Sequence, residues 1–241
     1  MTTIRDWVGF WDNPHSIYVN ARHADVHYRD VAEAIVRLLP GPDARVLDFG
    51  CGEALHADLV AAAARTLVLS DAAPSVRRNL AARFAAVPNI AVASPEELRG
   101  EPDGSFDLVV ANSVVQYLSR ADLDALLAQW RRLMSPSGAL IVADVIPPDV
   151  GAVSDLVALL RYAAANGFLI AAGIGVARTA FSSYRKLRAE LGIAKYTEAE
   201  FRGILAAAGF TAERLPANIE HNPARISFRA RRTDAPARAG S

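Results

Sequence analysis

At 241 residues, with 52% hydrophobic content and a formal net charge of zero, the chain suits one large domain, or one domain carrying an insertion. That composition excludes a disordered chain, and the balance of 26 basic and 26 acidic residues removes the broad positive field that nonspecific nucleic-acid binding needs. One cysteine, Cys51, cannot form an internal disulfide and favours a reducing compartment.

The first residues, "MTTIRDWVGFWDNPHS", lack a basic start followed by an apolar run, so no signal peptide is expected. The most apolar stretch, "GFLIAAGIGVA", is shorter than the roughly 20 residues that a bilayer span takes. A cytoplasmic protein with no membrane span is the expectation. Residues 1–40 read as a helical cap, in which "HADVHYRDVAEAI" sets His23 and His27 four apart on one helix face. Such a pair can supply part of a metal site. Without a third recognisable ligand, no metal is expected.

Short apolar runs then alternate with amphipathic stretches. Residues 44–49, 66–70, 89–93, 107–111 and 139–145 read as strands apolar on both faces, as parallel strands covered by helices must be. Helical periodicity fills 54–65, 74–86 and 121–134, with Pro74 suited to a first helical turn. This alternation predicts an α/β fold with a Rossmann-like, doubly wound, mostly parallel sheet. It breaks after Val145, where 154–191 read as a helical lid inserted after strand five. "YTEAEFRGILAAAGF" then gives a helix capped by Thr197 and Glu200 and stopped by Gly209. Strands near 211–215 and 225–231 form a C-terminal antiparallel hairpin whose long loop contains His221. Residues 1–231 are thus expected to be a single domain, followed by a disordered tail, 232–241.

Between the first strand and helix stands "VLDFGCGEAL". Glycines in such a place let a ligand approach bare backbone. A dinucleotide fingerprint would want a third small residue where Leu55 stands, and no Gly-Lys-Ser/Thr follows to make a P-loop. Cys51 has no identifiable histidine partner and reads as a small packing residue. Gly173 and Gly175 have no strand before them and read as close helix packing.

Asp48-Phe49-Gly50-Cys51-Gly52-Glu53-Ala54 resembles the first motif of the class I S-adenosylmethionine-dependent methyltransferases, specifically the small-molecule group that includes ubiquinone-type methylases. "LVLSDAAPSV" is similar to their second motif, with Asp71 roughly 20 residues past the glycines, where the family has its ribose-binding carboxylate. "SPEEL" stands at the third, with Ser94 in place of an aspartate that would hold the adenine amine. "SFDLVVANSVVQYL" and "LMSPSGALIVADV" match the family's fourth strand and the turn into its fifth.

The resemblance implies S-adenosylmethionine as cofactor, with S-adenosylhomocysteine as product. It implies cofactor contacts from Asp48, Gly50, Cys51, Gly52, Asp71, Ala72, Ser94, Glu96 and Asn112. From the N-terminal helix, Tyr18, Arg22, His23 or Tyr28 would reach the methionine carboxylate or the substrate. Methyl transfer is an in-line displacement needing orientation and exclusion of water, and a base only if the acceptor is protonated. Tyr117 and His221 are the candidate bases. Asn112-Ser113-Val114-Val115 lacks the Asn/Asp-Pro-Pro-aromatic motif of DNA amino-methylases, so no nucleic acid is expected. Phe168, Phe181 and Tyr184 of the lid suggest a pocket for an apolar small-molecule acceptor, with Arg161, Arg178 or Arg185 as an anionic handle. Two alternatives remain. The lid's apolar residues could form a homodimer contact, or the protein could bind the cofactor without turnover.

Overall fold

The computed structural model describes residues 9, 12, 18–179 and 192–234. Seven strands form one sheet: β1 (Arg45–Phe49), β2 (Thr66–Ser70), β3 (Ile90–Ala93), β4 (Phe106–Asn112), β5 (Met134–Val145), β6 (Phe210–Arg214) and β7 (Ile226–Arg232). Their order is β3-β2-β1-β4-β5-β7-β6. The first five are parallel, whereas β7 runs antiparallel to both β5 and β6. The expected α/β architecture with its closing hairpin is therefore present.

Alternation within each strand sorts the core into two layers. Leu47 and Phe49 face one side with Val109, Trp130, Phe201 and Phe228. Val46 faces the other with Ile35, Val60, Leu69 and Leu80. The helices that cover these faces are α1 (Ala21–Leu38), α2 (Ala57–Ala63), α3 (Pro74–Arg83), α4 (Arg120–Leu133) and α7 (Glu198–Ala207), while α5 (Ala152–Ala165) and α6 (Leu169–Thr179) pack on each other. None of the described helices is long and apolar enough to cross a membrane.

The chain steps outward from β1 to β3 and then returns to place β4 beside β1. That reversal opens a crevice at the carboxyl ends of β1 and β4, where doubly wound sheets hold ligands. Backbone strain gathers at the same edge. Ala54, Ser113 and Asp144 are the three non-glycine residues with positive φ among the described residues, at 39°, 55° and 63°.

Several boundaries differ from expectation for physical reasons. Ala54 cannot enter a helix in its left-handed conformation, so α2 starts at Ala57 and the loop is longer. β5 starts at Met134, ahead of the expected 139, with a register shift against β4 between Phe106 and Leu108. α5 starts at Ala152, and the lid's residues 180–191, including Phe181, Tyr184 and Arg185, lie outside the described residues. The Arg178 side chain lies outside them too. The Thr197–Glu200 capping box is present in full, and Gly209 ends the following turn at φ 81°.

The expected disordered tail begins too early. Arg232 is still in β7, Thr233 N–H donates to the Gly209 carbonyl, and Asp234 pairs with Arg131 and Arg232. Residues 235–241 lie outside the described residues. Gly175 does pack closely: a Cβ there would stand 2.4 Å from Val19 Cγ1.

Candidate active site

The loop after β1 is held by its own protein. The Gly50 and Cys51 N–H groups both donate to the Ser70 carbonyl, at 2.7 and 3.2 Å. Gly52 N–H donates to Asp71 Oδ2 at 3.1 Å, and Glu53 N–H donates to Tyr28 Oη at 2.9 Å. All four donors are committed, so the loop is not the outward-pointing nest that a phosphate needs. Positive φ at Gly50 and Gly52, 71° and 57°, gives the turn its shape. A Cβ on Gly50 would lie 2.5 Å from Val114 Cγ2, and one on Gly52 would lie 2.7 Å from Tyr28 Oη. These glycines thus admit β4's exit loop and α1 as well as any ligand.

Cys51 is buried, with its thiol directed at the Gly52 carbonyl 3.7 Å away. Burial and the charges of Asp48 and Asp71 push the thiol well above its ordinary range. It stays protonated and cannot act as a nucleophile at neutral pH.

Asp48, at the end of β1, is shifted upward by the same causes. It is 9% exposed, and burial together with the Asp71 charge raises its pKa to about 7. Asp71 is also raised, chiefly by burial, although Ala73 and Gly52 N–H groups donate to its two oxygens. Ala72 is half-buried and its carbonyl accepts from Arg77 Nη1. Asp12, from the N-terminal segment, accepts the Ser75 N–H at 2.7 Å at the start of α3, near Asp71.

The remaining expected contacts divide. Ser94 is buried and forms a reciprocal cap with Glu97, so its hydroxyl serves the 3-10 turn Glu97–Gly100. Glu96 is exposed. Arg22 sits on the outer face of α1, where it reaches the Asn166 carbonyl and Asp25. Tyr28, six residues on, is the α1 side chain that meets the glycine loop. Tyr18 packs its ring on His23, His27 and Tyr28 at 5.2–5.6 Å between centroids.

Beyond the loop, β4 ends in Asn112, whose Nδ2 donates to Glu220 Oε1 at 2.7 Å while its Oδ1 is buried without a hydrogen-bond partner. Glu220 Oε2 faces His27 Nδ1 at 3.2 Å and His221 Nδ1 at 3.8 Å. Burial would raise Glu220, but His27, His221 and Asn112 together outweigh it and hold the carboxyl well below the usual range. Burial likewise opposes a charged His27, yet Glu220 raises it overall. His23, the other member of the expected histidine pair, meets the His27 ring edge to face at 6.5 Å and stacks on Phe168 at 4.9 Å. Burial first, then the two other histidines, lowers it to about 4. His221 stacks on Tyr162 at 4.9 Å, and Tyr162 Oη donates to Asp30 at 2.6 Å. Phe168 is buried in the lid's own small core with Ala163 and Ala172. Tyr117 lies half-buried on the neighbouring 3-10 turn, Val115–Tyr117, whose Gln116 carbonyl accepts from Ala194.

A buried network anchors the loop that carries Glu220 and His221. Arg225 bridges Asp144 at 2.6 Å and Asp155 at 2.8 Å. Ser113 and Asn218 donate to Asp144, and Asn222 donates to Asp155. Glu220, Asp144, Asn218, Tyr162 and Asp30 were not legible as site residues in the sequence.

Fold, switch-point crevice, glycine loop and second-strand carboxylate are together the architecture on which class I S-adenosylmethionine-dependent methyltransferases are built. Residues 47–142 match the family described as "Methyltransferase domain". An uncharacterized methyltransferase of Mycobacterium tuberculosis is 30% identical over 129 residues, 53% of this chain and 62% of that protein. The chain thus matches about three fifths of that relative's length. The same fold occurs in the DhpI complex with S-adenosylhomocysteine, with TM-score 0.61, 14% identity and coverage of 96% of this chain and 97% of that one. It occurs also in magnesium protoporphyrin IX methyltransferase from Synechocystis with S-adenosylhomocysteine bound, with TM-score 0.57, 18% identity and coverage of 95% and 93%.

Proposed function

We propose that the protein transfers the methyl group of S-adenosylmethionine to a small-molecule acceptor with an aromatic or apolar body. The observation that carries the reading is the pairing of an amide-committed glycine loop with the buried Asp48. That pair suits a phosphate-free cofactor bearing an ammonium, with Asp71 taking the ribose hydroxyls. This reading sets the acceptor beside Asn112, against the rings of Tyr18, His23, His27, Tyr162 and His221, where an apolar body would displace water from the sulfonium. Membership in the ubiquinone-methylase-like group and a cytoplasmic workplace belong to the same reading.

The test is release of S-adenosylhomocysteine on incubation with labelled cofactor and a panel of phenols, quinols and lipids. Phe168→Ala removes the ring that positions His23 and the lid, so acceptor KM should rise about tenfold or more while S-adenosylhomocysteine affinity stays within about twofold. Equal loss of both would remove the lid from acceptor recognition.

A second reading, binding of the cofactor without turnover, rests on α5 and α6. Val153, Val157, Leu169, Ile170 and Ile174 are the exposed large hydrophobics among the described residues, and all five lie on these helices. A homodimer contact through them is part of that reading. Product release with any acceptor argues against it.

A further inference from the structure

We propose that His27, Glu220 and His221 form a binding site for a divalent transition-metal cation of the zinc class, open at one position to an acceptor oxygen. This rests on the methyl-transfer reading only for the acceptor's role, since the donor set stands by itself.

The three ligand atoms lie within 4.8 Å of one another. Two imidazole Nδ1 atoms converge on a single carboxylate oxygen, at 3.2 and 3.8 Å. Ligands about 2.0–2.1 Å from a tetrahedral zinc stand a little over 3 Å apart, so a cation fits between them after small movements. Two imidazoles and one carboxylate are the borderline donors that zinc and its neighbours prefer over magnesium or calcium. A three-ligand set leaves a fourth position for water or substrate.

Two further observations point to an occupant. His221 Nδ1 is buried with no hydrogen-bond partner, although it faces the cluster. A buried ring nitrogen without a partner costs free energy unless it is ligated. The cluster is also held from behind. Asn112 Nδ2 fixes the second oxygen of Glu220, and the Tyr162 ring, itself tied to Asp30, stacks on His221. Such outer contacts are what orient metal ligands. Glu220 is only 7% exposed, so this is not a solvated acidic patch.

The location gives the cation a use. Asn112 is one residue beyond Ala111, the register partner of Phe49, so the cluster borders the glycine loop. A cation there would lower the pKa of a coordinated acceptor hydroxyl. The hydroxyl proton leaves to solvent, the oxygen lone pair forms the O–CH3 bond, and the S–CH3 bond pair returns to sulfur. The acceptor class this implies is a phenol, enol or similar hydroxyl on an apolar body.

The experiment is titration of chelator-treated full-length protein with zinc sulfate alone, followed by calorimetry and by metal analysis after gel filtration. One zinc per chain is expected, with affinity falling about 100-fold or more in His221→Ala and in Glu220→Gln. S-adenosylhomocysteine is titrated into the same samples as a separate readout. No stoichiometric zinc in protein that binds S-adenosylhomocysteine overturns the metal site and leaves the methyltransferase reading intact. Zinc binding unchanged in both variants also overturns it. Zinc binding lost in the folded variants, in a protein that ignores S-adenosylhomocysteine, supports the metal site and removes its proposed role in methyl transfer.

Discussion

Arg225→Ala should destabilise the protein by about 3–5 kcal/mol in chemical denaturation at pH 7. Arg225 is the cation between Asp144, which is almost fully buried, and Asp155. Truncating it leaves the Asp144 carboxylate enclosed beside the charge of Glu220. The cost of an unpaired buried charge exceeds what the intact pair contributes. The pH dependence has a definite sign. Burial already raises Asp144 in spite of Arg225, and loss of the guanidinium raises it further. The folded variant then holds a proton that the unfolded chain releases near pH 4, so its stability falls as pH rises above that value. The deficit against wild type should be larger at pH 8 than at pH 5. A deficit under about 1 kcal/mol, or one independent of pH, would mean that the network is not what fastens the Glu220 loop.

Asp48→Asn should act in the opposite direction on stability and reduce binding. Asp48 keeps its proton to about pH 7 in the folded chain and to about pH 4 when unfolded. The native state binds more protons across that window, so the ligand-free protein loses stability as pH rises through it. Asparagine removes the penalty. The variant should be more stable than wild type by roughly 1–3 kcal/mol at pH 8, with the advantage fading toward pH 4. Affinity for S-adenosylhomocysteine should fall at least tenfold, because the ligand's ammonium loses its carboxylate. Thermal melts across pH, with and without ligand, check both halves. A variant that is less stable than wild type at pH 8 would show that Asp48 already has a stabilising partner.

The sheet was legible in the sequence because strands covered on both faces need uninterrupted apolar runs. "RVLDF", "TLVLS" and "DLVVA" have few other uses. The glycine loop and Asp71 were legible because their roles are local, a turn after one strand and a carboxylate ending the next. The strained Ala54 was not, since alanine is an ordinary helix former and nothing in its type marks a left-handed backbone. His27 was noticed but paired with His23, its neighbour on the helix. Glu220, with which it pairs, lies beside His221 in the β6–β7 loop, where neither residue has periodicity or a motif. Arg22 and Tyr28 show the same limit. Both are polar residues of one helix, and only the packed angle of α1 decides which meets the glycine loop.

The central claim is that the crevice at β1 and β4 holds S-adenosylmethionine through the glycine loop, Asp48 and Asp71. Calorimetric titration of S-adenosylhomocysteine, run beside NAD, into wild-type protein and Asp71→Ala tests it most directly. One site for S-adenosylhomocysteine is expected, with no response to NAD. Affinity should fall at least tenfold in a folded Asp71→Ala, since two charge-assisted hydrogen bonds of about 1.5–3 kcal/mol each are lost. Binding of NAD with no response to S-adenosylhomocysteine, or equal affinity in the Asp71 variant, would contradict the account.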